Sequence, residues 1–161
     1  ISTESHTTLI KSLDIMSQLL KSRNLDTIKQ CLTTLRDLSD RDENKQILAT
    51  HETTTILIKF LEHHDLEVKT ITTATLSHLA SNYALKKVIM KNDIIAKAVS
   101  SILNASPELL LHLSGLIMNL SEEDSNSFSM VKMGVVPALT VLSRALDKRI
   151  LDVSTYGCRD I

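Results

Sequence analysis

Between Ser106 and Ser121 the chain reads SPELLLHLSGLIMNLS, an apolar stretch with its start and stop written in. Leu109, Leu110, Leu113, Leu116, Ile117 and Leu120 recur at helical spacing and cover far more than one face. A helix this apolar is expected to have neighbours on most sides and to be central to a core. Ser106 is placed to cap it, Pro107 suits the first helical position and Glu108 suits the positive end of the helix dipole. The same design recurs along the chain. The helix-closing pairs Leu38-Ser39, Leu79-Ala80 and Leu120-Ser121 stand 41 residues apart, and so do the capping residues Asn24, Asp65, Ser106 and Asp147.

Within each interval the apolar spacing predicts a long, a short and a medium helix. The long helices span 24–39, 65–80 and 106–121; short and medium helices follow at 82–91 and 94–104, and at 124–133 and 135–146. In the first interval a polar break, Asp40-Arg41-Asp42-Glu43, precedes a short helix through Ile47 and Leu48. A turn near His51-Glu52 then leads into a medium helix carrying Ile56, Leu57, Phe60 and Leu61. Residues 1–23 read as the remnant of a preceding unit, 24–64, 65–105 and 106–146 as whole units, and 147–161 as the start of another. The chain opens with Ile and stops inside a helical pattern, so it is expected to be a piece of a longer protein.

Composition narrows the class. The sequence is 43% hydrophobic with three Gly and two Pro, which supports an all-α fold and leaves little material for hairpins. A net charge of −1 gives no global field for nucleic acid or an anionic membrane, and aromatic residues are too few, at 2%, for base stacking. No apolar run is long enough to span a bilayer, so direct membrane insertion is not expected. Cys31 and Cys158 fall in different units with two whole units between them, too far apart for a disulfide. Reduced thiols suit a cytoplasmic location, with nuclear or cytoskeletal association as variants. His63, His64, His78 and His112 lack ligand spacing, and no phosphate loop, nucleophile elbow or paired-carboxylate motif is present. Neither a metal, a cofactor nor catalysis is expected.

The segments Leu38 to Ile47 and Asn119 to Leu139 resemble armadillo repeats, whose pattern runs Asn-Leu-Ser, a polar gap, Asn, an apolar pair, then Gly, aliphatic, Pro and Leu. The resemblance covers nearly the whole chain, with local departures: Glu52 and Asp93 stand where Gly is expected, and Leu85 where Asn is. It implies a right-handed α-α superhelix, a solenoid of three-helix repeats whose long helices line a concave surface that binds an extended protein or peptide segment. The chain is then read as a non-catalytic interaction scaffold. A regulatory or targeting array within a larger enzyme is the alternative, and a nucleic-acid-binding helical repeat is opposed by the charge. Oligomeric state is not encoded in any of these features.

A rotation of about 100° per residue places four positions of each long helix opposite its apolar face. These are Asp26, Gln30, Thr33 and Asp37; Glu67, Ile71, Ala74 and His78; Glu108, His112, Gly115 and Asn119; Arg149, Val153, Tyr156 and Asp160. In the import and adhesion types of armadillo protein an Asn near the end of the long helix binds peptide backbone, and Asn119 matches it. The Trp positions of the import type hold Thr33, Ala74, Gly115 and Tyr156 instead, so its side-chain pocket is missing. The partner-binding candidates are therefore Asp37, Ala74, His78, His112, Gly115, Asn119, Tyr156 and Asp160. Two of them have alternative explanations, Asn119 as a cap or helix-to-helix hydrogen bond and Gly115 as a close approach of a neighbouring helix. Acidic residues outnumber basic ones on this face, which suits a net-basic partner, although Asp26, Glu67 and Glu108 also favour the helix dipole.

Overall fold

The computed structural model describes residues 3–90 and 93–144, and within them the chain is helical throughout. Helix α1 spans Thr3–Leu19, α2 Leu25–Ser39, α3 Asp42–Thr50, α4 Glu52–Phe60 and α5 Leu66–Ala80. A 3₁₀ turn at Tyr83–Leu85 leads into α6 at Lys86–Ile89, followed by α7 at Ile94–Ile102, α8 at Pro107–Ser121 and α9 at Asp124–Lys132. A last helix, α10, covers 135–144.

The long helices start where local chemistry satisfies their first N–H groups. The Asn24 side chain accepts from Thr27 N at 3.1 Å, Asp65 from Val68 N at 3.0 Å and Ser106 from Leu109 N at 3.2 Å. Each cap residue is extended and each helix then runs 15 residues, so α2, α5 and α8 are copies of one element. The fourth cap candidate, Asp147, lies outside the described residues.

The long helices lie side by side with α5 in the middle, and a single apolar core contains Leu35, Leu76 and Ile117. The centre is nevertheless α5 rather than α8. Helix α8 leaves Leu111 53% and Met118 59% exposed, whereas ten of the residues of α5 are buried, among them Thr70, Thr72, Thr73 and Thr75. Thr70, Thr73 and Thr75 donate their hydroxyls to the carbonyls of Leu66, Lys69 and Ile71 at 2.7–2.9 Å. A threonine bonded back to its own helix presents mainly its methyl group, which is how a polar-looking helix enters a core.

Two buried lysines tie successive units together. Lys45 Nζ donates to Asp42 Oδ1 at 2.6 Å and to Ser81 Oγ at 3.0 Å. One period later Lys86, 1% exposed, pairs with Glu122. Each reaches a partner 36 residues further on.

The departures from the repeat pattern have local consequences. Asn44 and Asn126 donate to the carbonyls of Leu38 and Leu120, closing the corner after a long helix. Leu85 cannot, and there Asn82 accepts from Ala84 N and the turn tightens to 3₁₀. Gly134 has φ 84°, and Asp93 takes the same left-handed region at φ 56°. At the third corner His51 is extended, so Glu52 simply begins α4.

Candidate binding groove

Helices α2, α5 and α8 lie side by side, with α5 between the other two. A groove of about 620 Å³ crosses them. Thr33 and Arg36 of α2, Glu67 and Ile71 of α5 and Glu108 of α8 line it. Four of these, Thr33, Glu67, Ile71 and Glu108, occupy positions that helical geometry assigns to one face.

The eight sequence-selected residues separate into three groups. Asp37, His78 and His112 remain at the surface or half-buried. Asp37 receives both Nε and Nη2 of Arg36 on one oxygen, at 3.2 and 3.0 Å. His78 places Nδ1 at 2.8 Å from Asp40 Oδ1 and 3.3 Å from Ser39 Oγ. Burial pushes the His112 imidazole below its ordinary pKa of 6.5; Glu108 opposes the shift, and His78 and Arg36 reinforce it.

The second group serves helix packing. Asn119 Nδ2 donates to the backbone carbonyl of Ser77 at 3.0 Å, so this amide is engaged by α5. A Cβ on Gly115 would stand 3.0 Å from Ser77 Oγ, which gives the glycine a packing reason. Ala74 is 3% exposed and offers a ligand almost no surface. Tyr156 and Asp160, with Arg149 and Val153, lie outside the described residues.

Two cations change the charge of the face. Lys29 Nζ lies 3.2 Å from Asp65 Oδ2 and 2.5 Å from Glu67 Oε2, and Arg36 pairs with Asp37. Hydrogen bonds donated to Glu67 and then to Asp65 hold the Lys29 ammonium above its ordinary pKa. Counting only residues on the ideal face misses both, because long side chains reach across to a neighbouring helix. Arg36 stands beside Asp37 in sequence, whereas Lys29 finds its partners at the start of the next long helix. Among the described residues no group of three His, Cys, Asp or Glu side chains could hold a metal.

The geometry has a counterpart among solved structures. A designed armadillo repeat protein superposes over 77% of this chain and 53% of its own, with a TM-score of 0.72 and 20% identity. In sequence the chain is similar to armadillo repeat-containing protein 8 of Xenopus laevis, 29% identical over 154 residues, and to its namesake from Pongo abelii, 28% identical over 153 residues. The chain has an armadillo-type fold. Both alignments cover 88% of this chain but only 21% and 22% of the relatives, so it spans about a fifth of their length. No family model matches the chain. Within the armadillo pattern, His78 and Asn119 hold equivalent places one period apart, and both turn towards the preceding long helix.

Proposed function

We propose that this armadillo array is a non-catalytic scaffold that binds an extended segment of a partner protein along the face of α2, α5 and α8. The observation that carries the reading is the groove running across three successive long helices, lined by residues of all three. Such a surface suits a chain that crosses the helices, with one short contact per unit. Asp26, Glu67 and Glu108 stand together at the starts of the long helices, so basic side chains of the segment are expected at that end. The same three carboxylates also stabilise their helices through the dipole, by about 0.3 to 1 kcal/mol each, and need no ligand for that.

The test is selection of peptides from a displayed random library, followed by mapping of amide chemical-shift changes with the selected peptides. Perturbations centred on Thr33, Ile71 and Glu108 are expected. Binding that maps to α4 and α7, or no selected peptide at all, overturns the groove as the binding site.

A further inference from the structure

The groove is not uniform in charge along its length. At its start lie Glu67, bridged to Lys29, and Glu108; further along, Arg36 enters from α2 and His112 stands on α8 one turn after Glu108. Arg36 spends Nε and Nη2 on a single oxygen of Asp37, and Nη1 has no hydrogen-bond partner among the described residues. The Asp37 side chain is 62% exposed, and an ion pair this open is weakly held and readily exchanged. His112 is half-buried yet also has no hydrogen-bond partner among the described residues. A partly desolvated imidazole in that state gains when a ligand supplies the missing partner. Between the two, α5 keeps its surface low, with Ile71 8% and Ala74 3% exposed.

We infer that the segment bound in this groove carries one aspartate or glutamate whose carboxylate seats between Arg36 and His112, with its basic residues at the Glu67 and Glu108 end. This rests on the groove reading above and adds the chemistry that the groove selects. A guanidinium fork matches a carboxylate in geometry as well as charge, and a planar imidazole completes the second side. The other charged or titratable groups near this position are Asp37 and Asp40 at the end of α2, Glu67 and His78 on α5, and Glu108 on α8. His78 has its Nδ1 committed to Asp40, which leaves His112 as the imidazole that responds to the ligand. A carboxylate beside His112 favours its charged form, so binding takes up a proton and affinity rises as pH falls.

The probes are synthetic peptides from the library selection, with affinity read by fluorescence anisotropy and position by chemical-shift mapping. The selected peptides are expected to hold Asp or Glu at one fixed place, and its change to Asn or Gln to weaken binding about tenfold or more. Arg36→Gln should cause a similar loss that does not add to the peptide change, and Asp37→Asn, which releases Arg36, should tighten binding. Between about pH 7.5 and 5.5 wild type should gain affinity; His112→Gln should remove that gain and His78→Gln should keep it. Peptides that map to the groove without an acidic position, or that bind Arg36→Gln as tightly as wild type, overturn this inference and leave the groove reading intact. Peptides that map elsewhere, or a selection that yields none, overturn both.

Discussion

At the seam between α2 and α5 charged side chains join the helices. Lys29 reaches Asp65 and Glu67 near their starts, and His78 meets Asp40 near their ends. At the seam between α5 and α8 the corresponding stretch is neutral and close: Asn119 donates to the Ser77 carbonyl, and Gly115 allows Ser77 Oγ to approach. Charge at this second seam lies among the short helices instead, where Lys86 pairs with Glu122 and Lys87 lies 3.0 Å from Glu123. The difference shows that a solenoid slot needs a group that reaches its neighbour, not a particular group. It also makes the two seams respond differently to salt and acid, because exposed ion pairs are screened while an amide-to-carbonyl bond and a steric fit are not.

The strongest way to break the comparison is at the shared core. Leu35 and Leu116 are both 0% exposed, so Leu35→Ala and Leu116→Ala should each cost about 2 to 5 kcal/mol in urea unfolding. A loss below about half a kilocalorie at either site would mean that one seam lacks the core assigned to it. Next in size is the close approach at the second seam. Gly115→Leu should cost about 1 to 3 kcal/mol through overpacking. Gly115→Ala made together with Ser77→Ala should instead stabilise the chain by about 1 kcal/mol relative to Ser77→Ala alone, since only helix propensity is then left to act.

Smaller effects sharpen the chemical contrast. Asn119→Ala should cost about 0.5 to 1.5 kcal/mol, independent of salt. Lys29→Gln at the first seam should cost less than that, and its cost should shrink as salt is raised. The subtlest effect is an acid one. Hydrogen bonds from Tyr83, Lys87 and Ser125 pull the Glu123 carboxyl from 4.5 down to about 2. A carboxyl depressed in the folded state stabilises it above the unfolded pKa, and that contribution is lost as pH falls from about 4.5 towards 2. Tyr83→Phe removes the largest cause, so its melting temperature should fall less steeply with acid over that range than wild type.

Much of the fold was legible because its signals are local. The caps at Asn24, Asp65 and Ser106 and the apolar spacing between them locate the long helices almost to the residue. The corner at Leu85 was legible as a departure, though not its outcome, since only the fold shows Asn82 taking over and tightening the turn. The candidate site was legible in part. Helical geometry put Thr33, Glu67, Ile71 and Glu108 on one face, and they line one groove. It could not separate Asn119 and Gly115, which a neighbouring helix occupies, from His112, which it leaves open.

What the sequence determined by itself was therefore the period and the helix ends, both set by interactions within a few residues. Which helix is central, and which charges meet, was decided only by the tertiary structure. Helix α5 looks less apolar than α8, yet three of its threonines, Thr70, Thr73 and Thr75, fold their hydroxyls onto their own carbonyls and are buried because it has a long helix on each side. Lys29 and Lys86 carry no mark of their partners in sequence; Lys86 finds Glu122 at a separation of 36 residues because stacking brings the short helix of one unit to the end of the next long one. Pairing of that kind depends on distance across the solenoid, a quantity fixed only when the units pack.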